Sequence, residues 1–146
     1  MRTWIALLLC VAPCLGQAGR AELCMEACPT GAISEPYVVD SNRCISYLTI
    51  EHRGEVAGDV TDHFENWIYG CDICQDVCPW NQKFSTGTQE SGFHPREGNV
   101  APRLDEWGWM SQEEFSGRFK GSPIKRTKRE GIVRNVKIVL AHQRET

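Results

Sequence analysis

The sequence has no long apolar run. Its most hydrophobic stretch lies within Met1 to Ala12 and is too short to span a bilayer, so nothing in the 146 residues points to a membrane partner. There is no glycine-rich phosphate cradle and no Ser/His/Asp constellation, which excludes nucleotide chemistry of the P-loop kind and triad hydrolysis. Only one Cys-x-x-Cys pair occurs, Cys71 with Cys74, where a structural zinc site usually joins two such knuckles. Acidic residues nearly vanish between Arg118 and Lys137, where eight Lys or Arg face the single acid Glu130. Of the sixteen bases and nineteen acids in the chain, eight and eighteen then remain elsewhere, so a segment near +7 adjoins a remainder near −10. Such asymmetry fits a nucleic-acid footprint on an acidic redox body. A solvated basic helix face is the other reading.

What the chain does hold is cysteine, eight residues in all, five of them in two runs and a sixth, Cys44, between the runs. The downstream run is Cys71-Asp72-Ile73-Cys74-Gln75-Asp76-Val77-Cys78-Pro79, and the upstream one is Cys24-Met25-Glu26-Ala27-Cys28-Pro29-Thr30-Gly31-Ala32-Ile33. Thiolates packed within a turn or two and closed by Cys-Pro are the pattern of bacterial iron–sulfur ligation. Proline also ends the local turn and removes a donor beside the last sulfur. Zinc and a secreted disulfide scaffold are the competing uses of so much cysteine. The ligand-like spacing and the two Cys-Pro closures favour iron–sulfur ligation and a reducing compartment. A chain of this size buries only a modest core, and a bound cluster would add stability.

Along the chain, Met1 to Ala12 has a basic start and a short apolar run, with Gly16-Gln17-Ala18 resembling a cleavage site, so residues 1–17 alone read as a secretory signal. The alternative, which we favour, is a truncated or misread start, because export of an unfolded chain would lose a cluster built in the cytosol. Tyr37 to Asp40 predicts a short strand, and Cys44 to Ile50 a short helix. Phe84 to Gly92 has no apolar period and predicts a connector. Trp67, Tyr69 and Trp80 are expected to pack around a cluster. Ser111 with Glu114 forms a capping box that starts a helix near Gln112, with Phe115 and Phe119 on its core face. Pro123 stops that helix. A second one is expected over Lys125 to His142, with Ile132, Val136, Val139 and Leu140 at helical spacing and a basic opposite face.

The words around the cysteines resemble one family. Pro29-Thr30-Gly31-Ala32-Ile33, Arg43-Cys44-Ile45-Ser46-Tyr47-Leu48-Thr49-Ile50-Glu51-His52-Arg53-Gly54, the Ile68–Asn81 run, Phe93-His94-Pro95-Arg96, Gly121-Ser122-Pro123-Ile124-Lys125-Arg126 and Gly131-Ile132-Val133-Arg134-Asn135 are together similar to the tRNA epoxyqueuosine reductases. The agreement runs over about residues 18 to 142 and matches the C-terminal, iron–sulfur part of such an enzyme. No segment matches the N-terminal domain that carries the proposed acid and most of the cobalamin site, so no catalytic residue is assigned in this chain.

The resemblance implies an α+β fold, a small bacterial-ferredoxin-like iron–sulfur module over residues 18–83, a linker over 84–103 and a helical, basic C-terminal segment over 104–146. It implies an oxidoreductase that reduces epoxyqueuosine to queuosine at the wobble position of tRNA. It also implies one 4Fe-4S cluster on Cys28, Cys44, Cys71 and Cys74. In the crossed ligand pattern of the family, Cys24 and Cys78 belong to a second cluster, but Ala18 and Ala21 stand at its other two ligand positions and have no metal-binding atom. Cys10 and Cys14 lie too far upstream to keep the spacing. Ser46, Cys71 and Asp72 match positions near the cobalamin. His52 and Arg53 match the tRNA-facing stretch, and Lys125, Arg126, Lys128, Arg129 and Arg134 add a basic surface for tRNA phosphates. The implied partners are a tRNA anticodon loop and an electron donor such as a ferredoxin or flavodoxin, in the cytoplasm. A stand-alone ferredoxin-like electron carrier is the alternative function, and a zinc-stabilised nucleic-acid-binding module a third.

Overall fold

The computed structural model describes residues 22–145. The signal-like start, Cys10, Cys14, Ala18 and Ala21 lie outside the described residues. Short elements dominate the first half: α1 (Leu23–Glu26), β1 (Ile33–Glu35), β2 (Val38–Val39), α2 (Ile45–Ile50), α3 (Gly58–Thr61), α4 (Ile73–Asp76) and α5 (Pro79–Phe84). A single 3₁₀ turn at Ser91–Phe93 interrupts the connector. The second half holds α6 (Leu104–Gly108), α7 (Gln112–Arg118), a 3₁₀ stretch at Pro123–Thr127 and the long α8 (Lys128–Glu145).

The strand expected at Tyr37 to Asp40 is shorter than its composition suggests. β1 and β2 pair antiparallel as a two-stranded ribbon. Tyr37 takes a left-handed backbone at φ 68° and forms the turn, so only Val38 and Val39 remain extended. Both valines are exposed. The α+β class nonetheless holds, as helices on a small sheet.

The C-terminal elements follow their local signals closely. Ser111 accepts from the Glu114 N–H at 3.1 Å while the Glu114 carboxylate accepts from the Ser111 N–H at 2.6 Å, completing the capping box of α7. Phe115 and Phe119 are buried with ring centres 5.1 Å apart. The helix expected from Lys125 begins later, at Lys128. Pro123 starts a 3₁₀ turn there, and Lys128 at φ 63° breaks the path before α8 proper.

Helix α8 is the spine of the molecule. Ile132 and Val136, one turn apart, enter a core of Trp107, Met110, Phe115 and Phe119. Three residues on, Val139 enters a second core with Ile45, Leu48, Val60 and Phe64. One helix thus supports both the packed C-terminal helices and the element that opens at Cys44. Gly131 is needed for this approach, since a Cβ there would sit 2.6 Å from the Thr127 methyl.

Candidate metal centre

Cys28, Cys44, Cys71 and Cys74 line one small cavity, although they come from three separate stretches of chain. Each is placed by a short element. Cys28 follows α1, and Gly31 at φ 61° turns the backbone so that the Ala32 N–H donates to the Cys28 sulfur at 3.3 Å. Cys44 is the first residue before α2, extended at φ −74°, ψ 115°. Gly70 at φ 76° turns the chain immediately before Cys71, and Cys74 lies within α4. Ile33, Ile45 and Ile73 complete an apolar wall.

The electrostatics of the cavity suit a cationic guest. Burial opposes ionisation of Cys28, but hydrogen bonds from the Thr30 hydroxyl and from the N–H groups of Ala32, Ile33 and Thr30 together hold its thiol below the ordinary range. Burial pushes the Cys71 thiol up. The Ile73 N–H offsets part of this, and the neighbouring sulfurs of Cys74, Cys44 and Cys28 add to it. A Cys71 thiolate beside three other sulfurs is favoured by a positive core between them, and N–H donors directed at sulfur are a recognised control on cluster potential. Among the described residues, no three His, Cys, Asp or Glu side chains converge on a point that would hold a single ion. All four cysteines line the same cavity, as ligands of a shared multi-atom cluster would. No disulfide joins any of the six described cysteines.

Cys24 and Cys78 are half-buried and lie outside this cavity's lining. Around them, α1 packs against α4. Of the aromatics expected near the cysteines, Trp67 packs into the core beside Ile45 and Leu48, and Tyr69 packs against the α6–α8 core. Trp80 is 57% exposed and stacks on Phe84 at 5.8 Å, on the outside of α5.

A match to the 4Fe-4S double cluster binding domain covers residues 19–81. The epoxyqueuosine reductase of Synechocystis sp. is 46% identical over 118 residues, covering 80% of this chain and 41% of the relative. That of Escherichia coli K12 is 45% identical over 124 residues, 85% of this chain and 32% of the relative. The chain is similar to the iron–sulfur part of the epoxyqueuosine reductases. A solved epoxyqueuosine reductase with a tRNA-Tyr epoxyqueuosine-modified stem loop superposes with a TM-score of 0.76 at 30% identity, over 92% of this chain and 33% of the solved one. The chain therefore spans about a third to two fifths of the relatives it matches. It carries a 4Fe-4S binding domain.

The residues singled out around the site fall into two groups. Ser46 is half-buried in the first turn of α2, and Asp72 is exposed before α4 with its carboxylate left uncommitted to capping that helix. Ser46 lies two residues after Cys44, and Asp72 directly follows Cys71. Several of the basic residues, in contrast, are engaged within the fold. Arg134 donates to the carbonyls of Leu48 at 2.6 Å, His52 at 3.0 Å and Gly54 at 2.8 Å, and burial together with nearby Arg53 lowers its pKa. Arg129 donates to the Met110 carbonyl at 2.6 Å. Arg53 donates to the Arg126 carbonyl at 2.7 Å, and Arg126 pairs with Glu51. The His52 ring contacts the Glu55 carbonyl at 2.9 Å. Lys125 and Lys128 are exposed.

Sequence reasoning did not find Thr49 and Asn135, which are fully buried and tie the cysteine loops to α8. The signals were the family-like words that contain Thr49 and the Arg134-Asn135 pair. Among the described residues, no helix is long and apolar enough to cross a membrane.

Proposed function

We propose that this chain is the iron–sulfur electron-transfer part of an epoxyqueuosine reductase and needs a cobalamin-binding partner region for turnover. The convergence of Cys28, Cys44, Cys71 and Cys74 on one cavity carries the reading, and the match to epoxyqueuosine reductases supports it. In the family reaction the epoxide oxygen of the modified base leaves as water. Two electrons and two protons are taken up and an alkene remains. A 4Fe-4S cluster supplies one-electron transfer, and cobalamin, when bound, the reactive metal centre. In this chain the four cysteines would hold the cluster, Ser46 and Asp72 would face the cobalamin beside Cys44 and Cys71, and Cys24 with Cys78 remain of a second ligand set. Asp72 fits that role because its carboxylate is exposed and does not cap α4.

The substrate would be an anticodon loop, whose unpaired wobble base reaches a buried centre by unstacking instead of duplex opening. His52, Arg53, Lys125, Arg126, Lys128, Arg129 and Arg134 form the basic side of the chain, with the exposed Lys125 and Lys128 best placed to meet phosphates. A ferredoxin or flavodoxin would supply electrons, in the cytoplasm, where thiols stay reduced. The test combines two measurements on the reconstituted chain: binding of an epoxyqueuosine-containing anticodon stem-loop, and its reduction with cobalamin and a chemical reductant. Binding without turnover is the expected result. Turnover by the chain alone would overturn the requirement for a further region, and a cluster without stem-loop binding would favour a plain electron carrier.

A further inference from the structure

Cys44 and Cys71 sit on segments that are tied together by buried polar side chains from α2 and α8. Thr49, fully buried one turn into α2, donates its hydroxyl to the Ile45 carbonyl at 2.7 Å. The same oxygen accepts the Gly70 N–H at 2.9 Å, directly before Cys71. Asn135, also fully buried, donates from its amide nitrogen to the carbonyls of Thr49 at 2.8 Å and Ile68 at 2.9 Å. Its amide oxygen accepts from the guanidinium of Arg134 at 2.9 Å. All the polar atoms of the Asn135 side chain are therefore used, and its orientation is fixed by its neighbour on the same helix. The Thr49 and Leu48 carbonyls belong to the last turn of α2, which leaves acceptors without helical partners. Arg134 and Asn135 cap that turn from a distant part of the chain.

We propose that Thr49 and Asn135 are positioning residues for the cluster, locking the Ile68–Cys71 loop onto the helix that opens at Cys44. The lock has two points, the Ile68 carbonyl and the Gly70 N–H, on either side of Tyr69. With both held, the left-handed turn at Gly70 delivers Cys71 to the cavity in one direction. A cluster tolerates little drift between ligands, and outer hydrogen bonds that orient metal ligands affect retention about 10- to 100-fold. The α8 motif thereby acts on the centre without touching it.

The inference rests on the assignment of the cluster to Cys28, Cys44, Cys71 and Cys74. The full chain is reconstituted anaerobically, and iron loss to a chelator and the EPR spectrum of the reduced cluster are followed. Thr49→Val keeps shape but removes every hydrogen bond of the hydroxyl, to the Ile45 and Ser46 carbonyls and from the Gly70 N–H. Asn135→Asp turns a double donor into an acceptor facing two carbonyls. Each variant is expected to lose iron about 10- to 100-fold faster and to change the EPR line shape. Phe119→Leu, in the core away from the cysteines, serves as the control for lost stability. At an unfolding temperature equal to that of Thr49→Val it should lose iron at the unmodified rate. If Asn135→Asp does not fold, Thr49→Val decides. Unchanged iron loss in Thr49→Val, or equal loss in Phe119→Leu, would overturn the proposal. Iron retained by Cys44→Ala would instead overturn the ligand assignment.

Discussion

The guanidinium of Arg134 donates to the Leu48 carbonyl across 2.6 Å, joining residues 86 positions apart in the sequence. This cation answers no carboxylate among its hydrogen bonds. It spends its donors on carbonyls at and beyond the end of α2 and on the Asn135 amide. Hydrogen bonds to a charged group contribute about 1.5–3 kcal/mol each when made, and an abandoned buried acceptor adds a cost of its own. Arg134→Ala should therefore lower unfolding stability by roughly 2–4 kcal/mol in denaturant titration. Arg134→Lys should recover only a small part, since an ammonium cannot reproduce the planar fork.

Arg126 and Glu51 form an ion pair on the same side of the molecule, with side chains 69% and 34% exposed. A phosphate would compete with Glu51 for that guanidinium, whereas Lys125 and Lys128 are open to it. Replacing Lys125 and Lys128 together by Ala should weaken anticodon stem-loop binding across sequences and flatten the dependence of log affinity on log salt by about one per lysine. Glu51→Gln should strengthen binding by freeing Arg126. An unchanged salt slope in the double variant would mark this face as a solvated surface.

The parts legible in the sequence are those written in adjacent residues. The capping box of Ser111 and Glu114, the stop at Pro123 and the Cys71–Cys74 spacing all act within a turn or two of chain. What could not be read depends on distant packing. Arg134 sits in a basic run and resembles any surface cation until α8 is laid against α2. Tyr37-Val38-Val39 has strand composition, yet the left-handed turn at Tyr37 shortens it to two exposed valines. Asn135 at an interior helix position gives no local sign that its amide closes a loop more than sixty residues away.

Gly131 meets Thr127 more closely than any side chain permits, 2.6 Å from a built Cβ to the methyl. Two effects oppose each other in Gly131→Ala. Helix propensity favours alanine by about 1 kcal/mol, but overpacking against a buried, β-branched neighbour costs about 1–3 kcal/mol. The single substitution should destabilise the chain. Made together with Thr127→Ala, which removes the obstructing methyl, the same change should stabilise, so a double-mutant cycle will show a coupling of opposite sign to the single effect.

Cluster stoichiometry follows from which ligands the chain supplies. On the proposed ligand assignment the set Cys28, Cys44, Cys71 and Cys74 is complete, and all four line one cavity. The other set retains Cys24 and Cys78, while Ala18 and Ala21 occupy its remaining positions by the family spacing. Two thiolates hold a cubane poorly against solvent and chelator, because half of its iron corners would have no protein ligand. Anaerobic reconstitution should therefore give about four iron and four sulfide per chain, the content of one cubane. Cys44→Ala should abolish the visible absorbance of the cluster, and Cys78→Ala should leave it largely intact. About eight iron per chain would require an additional ligand to complete the second site, and the opposite mutant pattern would reverse the crossing of the two sets.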